Sequence, residues 1–371
     1  MANNFTKEDY QFMSRAIQLA KRGMNTTTPN PRVGCVIVKD NEIVGEGWHV
    51  RAGEAHAEIH ALNAAGKKAK NATAYVTLEP CSHHGRTPPC SDALIKAGVM
   101  KVIVAMQDPH LRVNGEGIQK LVDAGIQVAT GLLEQQAEAL NPGFIKRMRT
   151  GRPYVRLKLA MSLDGRTAMA SGESKWITSA AAREDVQRLR AQSCAIVTGV
   201  GTVLADDPSM NLRLDGVERQ PLRVVVDTNL SMPVTAKMLS PPGEMIVMTC
   251  SEDEEMIEQL TQVGARVINM PYCNTSVSLA AVLDELGKMG INEVLIETGA
   301  TLSGGLLQDG LIDELVVYMA PILMGDGARG LFRLPELTTM ADKVQLEITD
   351  MRAVGCDWRI TAKILNRPTQ A

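Results

Sequence analysis

Gly53–Leu62, GEAHAEIHAL, and Thr73–Cys90, TAYVTLEPCSHHGRTPPC, are the stretches whose reading decides the fold of the first part of this chain. The first reads as the start of a helix, with the imidazole of His56 and the carboxylate of Glu58 near its first turn. The second is a β-rich run, Thr73 to Leu78, that delivers Glu79-Pro80-Cys81 and then a Pro-rich loop ending at Cys90. One His and two Cys make the three-ligand set that a catalytic zinc uses, leaving the fourth tetrahedral position for water. Glu58 lies two residues from a ligand and can stand beside that water without binding the metal. An isolated H-x-E arises by chance, and cysteines in a chain this size are commonly buried apolar residues. The ordered set, helix start, strand, E-P-C and then P-P-C opening another helix, favours the metal. A closed structural site would need a fourth protein ligand, and only His83 or His84 is near enough in sequence to supply one.

Working outward, 371 residues are too many for one ordinary core, so two domains are expected. Hydrophobic content of 45% and charged content of 22% are those of a soluble globular protein. A net charge of −3 with 3% aromatic residues argues against a nucleic-acid surface. The longest apolar runs are strand-length, so no membrane span is expected. The N-terminus lacks a basic flank and an apolar segment, so it reads as no signal peptide. Seven cysteines, an odd number without framework spacing, fit a reducing compartment, and a cytoplasmic location is expected. All six histidines fall between His49 and His110, so whatever chemistry follows proceeds without imidazole.

In the first domain, placed at residues 1–149, Thr6 looks like an N-cap, with Phe5 and Tyr10 as a hydrophobic staple. Helical spacing continues through Met13, Ile17 and Ala20. The loop TTTPNPRVG then feeds a hairpin of strands Gly34 to Val38 and Ile43 to Trp48. After the His56 helix come strand 73–78, helix 91–97, strand 101–106, helix 116–124, strand 126–130 and helix 133–147. This is an α/β sandwich around a central sheet. The ligands stand at two helix starts, where the dipole favours a thiolate at Cys90.

The arrangement resembles the zinc-dependent base deaminases, in which a non-ligand Glu shuttles protons. Their usual second half is P-C-x-x-C, whereas here eight residues separate the cysteines. With that spacer, H-A-E and E-P-C-S-H-H-G-R-T-P-P-C resemble the deaminase half of the bifunctional riboflavin-biosynthesis deaminase/reductase family. The resemblance implies a cytidine-deaminase-like αβα sandwich, one zinc per chain on His56, Cys81 and Cys90, and Glu58 as proton carrier. It further implies substrate contacts at Asn30, His49, Arg86 and Asp108. Asn30 can read a pyrimidinone edge, Asp108 can accept from an exocyclic amine, and Arg86 can hold a phosphate. His110 stands where the family commonly has Asn, so no contact is carried over there.

Arg149 to Pro153 is a basic joint with Gly and Pro, and the second domain is placed at residues 150–371. RPYVRLKLAMSLDGRTA reads as a strand running into a turn at Asp164-Gly165. A helix over 180–192 and short buried strands near 195–198, 224–226, 245–248, 267–270, 294–296 and 315–318 follow. Helices near 253–263 and 278–289 lie between some of them. The pattern is a mostly parallel sheet with helices on both faces. The tail alternates and turns at Gly355-Cys356, a closing antiparallel hairpin. Gly-rich turns at 199–202 and 297–305 follow strands and can bring backbone N–H groups to phosphate, although neither is a G-x-G-x-x-G fingerprint.

LKLAMSLDGR, SGESKWITS, TGVGTVLADDPSMNLR and IETGATLSGG, in that order, resemble the reductase half of the same family. The implied fold is dihydrofolate-reductase-like and the implied cofactor is NADPH. By position, Ala160, Trp176, Thr202, Asp206, Thr228 and the turn Gly299, Ala300, Thr301, Leu302, Ser303, Gly304, Gly305 would line the cofactor. Ser174, Arg190, Met210, Arg213 and Glu297 would meet the substrate, with the arginines suited to a ribose phosphate. Lys158, the one ammonium within LKLAMS, is expected to assist at the sugar carbon that receives hydride. Met210 and Thr228 stand where Leu and Ser are common. The implied activity is deamination of 2,5-diamino-6-(5-phosphoribosylamino)pyrimidin-4-one followed by reduction of its ribosyl group to ribityl. The small-molecule phosphoribosyl-pyrimidine is the expected partner, and a homo-oligomer, dimer or tetramer, is the expected assembly. The competing readings are a nucleic-acid deaminase with an appended binding domain, and a zinc-stabilised scaffold without catalysis.

Overall fold

A capping box starts the first helix. Thr6 Oγ1 accepts from Asp9 N at 3.2 Å, and the Asp9 carboxylate accepts from Thr6 N at 2.9 Å, at the head of α1 (Lys7–Ala20). The buried Tyr75 hydroxyl donates to Asp9 at 2.6 Å, which ties this cap to the sheet. The expected staple contact is present, with the Phe5 and Tyr10 rings edge to face at 6.5 Å. The computed structural model describes residues 5–83, 88–110, 114–217 and 219–366. The chain folds as two units, Met1–Gly151 and Arg152–Ala371.

The first unit is built on a five-stranded sheet in the order β2-β1-β3-β4-β5. Its strands are β1 (Gly34–Lys39), β2 (Glu42–Trp48), β3 (Thr73–Leu78), β4 (Lys101–Met106) and β5 (Gln127–Thr130). β1 is antiparallel to β2 and β3, while β3, β4 and β5 are parallel. The other helices are α2 (Ala57–Ala65), α3 (Cys90–Ala97), α4 (Glu116–Asp123), α5 (Glu134–Glu138) and α6 (Pro142–Thr150). Glycines set the helix–sheet spacing. A Cβ on Gly34 would lie 2.0 Å from Ala16 O of α1, and one on Gly47 would lie 2.3 Å from Ala57 O of α2. Gly47 pairs with Cys35, the neighbour of Gly34, so the two glycines face opposite sides and the sheet carries a helix on each.

The helix expected over 133–147 is two helices. Pro142 is the first residue of α6 and has no N–H to continue α5. Asn141, 3% exposed, instead spends its side chain on Arg32, accepting from its N at 2.8 Å and donating to its O at 2.9 Å. That clamp holds the end of the TTTPNPR loop.

In the second unit, β6 (Tyr154–Ser162), β7 (Arg166–Ala168), α7 (Ala180–Gln192), β8 (Ala195–Gly199), α8 (Val200–Asp206) and β9 (Leu222–Val226) come first. They are followed by β10 (Met245–Thr249), α9 (Glu254–Gln262), β11 (Arg266–Asn269), β12 (Tyr272–Cys273), β13 (Ser276–Val277) and α10 (Leu279–Lys288). The remainder is β14 (Glu293–Glu297), α11 (Ala300–Gln308), β15 (Glu314–Ala320), β16 (Arg329–Gly330), β17 (Leu346–Val354) and β18 (Asp357–Ile364). Nine strands form one sheet in the order β11-β10-β9-β8-β14-β6-β15-β18-β17, parallel from β11 through β15 and closed by the antiparallel hairpin β17–β18. Alternate residues of β9 go to opposite cores. Val224 and Val226 pack with α10 and α11, while Val225 packs with Val203 of α8 and Leu260 of α9. Helices therefore cover both faces, as the near-continuous apolar strands require. Among the described residues no helix is long and apolar enough to cross a membrane.

Gly34→Ala should push α1 off the sheet and cost on the order of 1–3 kcal/mol, as overpacking does. Urea unfolding of the full chain reads this directly. An unchanged midpoint would mean that α1 gives way freely, against the backbone contact described.

Candidate active sites

Both sites lie at the carboxyl ends of parallel strands, where open α/β sheets gather their ligands. In the first unit, His56 is the N-cap residue of α2, Cys81 follows β3, and Cys90 is the first residue of α3. Their donor atoms lie within 4.8 Å of one another, with His56 Nδ1 3.2 Å from Cys90 Sγ and 3.6 Å from Cys81 Sγ. Tetrahedral zinc with ordinary bond lengths sets N and S donors about 3.5 Å apart, so the set fits that ion in both chemistry and spacing. Glu58, 3% exposed in the first turn of α2, stands outside the ligand cluster. His83 is exposed and is not part of it either, so among the described residues the cluster has three members. His84 and Arg86 lie outside the described residues.

Electrostatics divide the groups. Burial pushes the Glu58 carboxyl up to about 7, where it exchanges protons readily near neutrality. The Cys90 thiol and His56 bring Cys81 down to about 4, while the same contact and burial push Cys90 up. The first N–H of α3, that of Cys90, donates to Cys81 Sγ at 3.3 Å.

His49 is 2% exposed and kept neutral by burial. Its Nδ1 lies 3.1 Å from Ala55 O and must donate there, so Nε2 accepts from the Asn30 amide at 3.1 Å. Asn30 is thereby oriented with its carbonyl oxygen turned away from His49. Asp108 follows β4, and its carboxyl is raised by burial and accepts from His110 N at 2.8 Å. The residue that sequence reading left without a role is Glu79. Its Oε1 accepts from Gly117 N at 2.9 Å and Ile118 N at 3.2 Å. Its Oε2 accepts from Asp108 N and Gly115 N, each at 3.1 Å. Four backbone donors on one buried carboxylate fasten the segment carrying Asp108 beside the Cys81 turn. The signal was the acid immediately preceding Pro80-Cys81.

In the second unit a cavity of about 1650 Å³ opens at the ends of β6, β8, β9 and β14. It is larger than the roughly 300–1,000 Å³ of a drug-sized pocket. Lys158, Ala160, Ser174, Trp176, Arg190, Thr202 and Asp206 line it. Met210, Arg213, Thr228, Glu297, Gly299, Ala300, Thr301, Leu302 and Gly305 line it too. Ser303 and Gly304, expected beside them at the cofactor, are not among the residues lining the cavity. Residues 300–308 form α11, and a helix shows only one side to the cavity. Ser303 is fully buried, and a Cβ on Gly304 would lie 2.0 Å from Arg333 O.

The parallel register of β6 and β14 pairs Lys158 with Glu297. Arg190 grips Glu297 with both arms, Nε to Oε1 at 2.6 Å and Nη2 to Oε2 at 2.9 Å, and donates through Nη1 to Asn211 O at 2.8 Å. Burial would raise Glu297, yet the Arg190 guanidinium holds it below the usual carboxylate range. Lys158 is lowered by burial, against the pull of Glu297. Arg190 is thus neutralised by its partner, whereas among the described residues the Arg213 guanidinium bonds an amide oxygen, Asn211 Oδ1, at 2.7 Å. At the rim, Ser174 Oγ donates to Asp206 Oδ1 at 3.3 Å, and Trp176, 70% exposed, has Arg183 stacked 4.6 Å from its ring. Arg183 carried no expectation from sequence.

Residues 6–106 match the family described as the cytidine and deoxycytidylate deaminase zinc-binding region, and residues 153–360 match the RibD C-terminal domain. Riboflavin biosynthesis protein RibD of Escherichia coli (strain K12) is 53% identical over 94% of this chain and 98% of its own. The protein of that name from Bacillus amyloliquefaciens is 46% identical over 96% of each. A solved structure of Acinetobacter baumannii RibD superposes with a TM-score of 0.91 at 48% identity, covering 97% of this chain and 99% of that one. The Thermotoga maritima diaminohydroxyphosphoribosylaminopyrimidine deaminase/5-amino-6-(5-phosphoribosylamino)uracil reductase gives 0.86 at 33% identity, over 98% and 99%.

Arg190→Met would strand Glu297, and removing one member of a buried pair costs about 3–5 kcal/mol. Glu297 is depressed in the folded state, so its contribution is present above its unfolded value near 4.5 and is lost as pH falls through the lower folded value. The stability gap between wild type and variant should therefore narrow in acid. Denaturant unfolding at neutral and acidic pH measures it, and a gap independent of pH would refute the ion-pair account.

Proposed function

The chain belongs to the bifunctional riboflavin-biosynthesis deaminase/reductase family, and from that premise we propose two consecutive reactions, one for each unit. Residues 1–149 remove the amino group from 2,5-diamino-6-(5-phosphoribosylamino)pyrimidin-4(3H)-one by hydrolysis. Residues 150–371 reduce the ribosyl group of the product to ribityl with NADPH, giving 5-amino-6-(5-phosphoribitylamino)uracil. The observation that carries the reading is the His56, Cys81, Cys90 cluster with buried Glu58 beside it and outside the ligand set.

His56, Cys81 and Cys90 would hold zinc, which would supply a nucleophile from water at neutral pH. Glu58 accepts the proton from that water and returns it to the leaving amine, so that ammonia departs and a carbonyl replaces the C–NH2 group. A carboxyl brought to about 7 is matched to carrying a proton in both directions. Asn30, oriented by His49, and Asp108, fastened by Glu79, hold the pyrimidine edge; Arg86 is assigned to the phosphate on family resemblance.

In the reductase, NADPH held in the cavity would supply the hydride. Lys158, lowered by burial, gives its proton readily at the sugar group under reduction, paired across the strands with the Glu297 that Arg190 holds. Arg213, which bonds an amide and has a guanidinium to offer, suits the ribose phosphate better than Arg190, whose charge Glu297 cancels. Ala160, Trp176, Thr202, Asp206 and Thr228, with the start of α11, form the cofactor side.

Feeding the diamino substrate with and without NADPH and weighing the products tests both steps. Wild type should yield the deaminated ribosyl compound alone, and the ribityl compound when NADPH is added. Glu58→Gln should keep its zinc by elemental analysis yet lose deamination by about 10²-fold or more, as for a general acid–base group. It should still reduce the deaminated intermediate. Deamination undiminished in that variant would sink the assignment.

The proposal includes a homo-oligomer. The edge strand β17 is exposed almost throughout, with Ile348 60% and Met351 50% exposed among charged neighbours, and an open edge strand invites a second copy. Ile348→Asp should shift the sedimenting species toward monomer; a wild-type chain that sediments as monomer at all concentrations would remove the idea.

A further inference from the structure

We propose that Asp357, outside the cavity, is a positioning residue for its rim at Ser174–Thr178, so that the C-terminal hairpin governs NADPH affinity. This rests on the reading of the second unit as an NADPH reductase. Asp357 opens β18, is 1% exposed, and uses Oδ2 to accept from both Ser179 N at 2.8 Å and Ser179 Oγ at 2.6 Å. Ser179 is the N-cap of α7, and its hydroxyl oxygen also accepts from Ala182 N at 3.4 Å. The carboxylate therefore fastens the point where the rim ends and the helix begins, at the helix end that favours negative charge. The hairpin turn is seated there too, for a Cβ on Gly355 would lie 2.8 Å from Ala181 Cβ.

The rim is tied at both ends. At its start, Ser174 Oγ donates to Asp206 Oδ1 at 3.3 Å and Lys175 Nζ to Asp206 O at 2.6 Å. At its far end, Asp357 holds Ser179, and Arg183 donates to Thr178 O at 2.7 Å while stacking on Trp176. Between the ties Trp176 lines the cavity but is 70% exposed, so the indole has little packing of its own to keep it in place. Its position is inherited from Ser179 and Arg183, and both depend on where α7 begins. A second link joins the same hairpin to the same helix farther along, where Arg359 Nη1 donates to Asp185 Oδ2 at 3.0 Å. That link leads away from the rim and separates general docking of the hairpin from control of the rim.

The test uses full-length Asp357→Asn, Ser179→Ala, Ser179→Thr and Arg359→Gln, with NADPH kinetics on the deaminated intermediate and deamination as an internal control. Weakening charge-assisted bonds in Asp357→Asn should raise KM for NADPH by about tenfold while kcat stays within about twofold. Ser179→Ala should move the same way, Ser179→Thr should restore the wild-type KM, and Arg359→Gln should leave it unchanged. An unchanged KM in Asp357→Asn overturns the proposal. So does an equal rise in Arg359→Gln, or a joint fall of kcat and deamination that marks Asp357 as a general structural prop. Failure of the wild type to oxidise NADPH would overturn the reductase reading itself and the inference with it, a result distinct from all of these.

Discussion

Parallel pairing is the constraint on which both halves depend. Strands that run together finish together, so the loops after β3 and β4 emerge side by side, and so do those after β8, β9 and β14. Cys81 and Asp108 meet for that reason in the first unit, and Gly199, Thr228 and Glu297 in the second. The zinc ligand set adds the start of α2, which returns across the antiparallel hairpin β1–β2. Nothing in the chemistry of an imidazole and two thiolates brings them together. The sheet does, and the ion then has donors already at bonding separation.

The carboxylates buried at these edges differ in how far their charge is answered, and that difference sorts structural groups from reactive ones. Glu79 is surrounded by four backbone N–H groups and so serves as an anchor. Glu297 is matched by a two-armed guanidinium and stays ionised. Glu58 has no such compensation and rises toward neutrality, where proton exchange is easiest. Three buried carboxylates thus have three behaviours, and burial alone does not distinguish them.

Much of this was legible in the chain as written. The H-A-E, E-P-C and P-P-C groups lie within 35 residues, and local spacing suffices to read them as one ligand set. The strands were legible because both faces are covered and their apolar runs are short and bounded. Contacts between distant positions were not legible. Arg190 and Glu297 are 107 residues apart and Arg32 and Asn141 are 109 apart, so neither the neutralised arginine nor the Asn141 clamp has a local signature, whereas Pro142 marked the break between α5 and α6 in the sequence itself. Ser303 and Gly304 face the protein interior because a Gly-rich run that becomes a helix turns part of its residues inward.

The contact between α2 and β2 has a consequence for redesign. Gly45 and Gly47 let the helix bearing His56 and Glu58 rest backbone to backbone on the strand, with no side chain between them to serve as a shim. A laboratory effort to retune this enzyme toward other heterocycles cannot shift that helix by trading one apolar residue for a larger or smaller one. Its freedom lies in the surrounding loops. The metal and its acid form a fixed bench, and only the furniture around it can be rearranged.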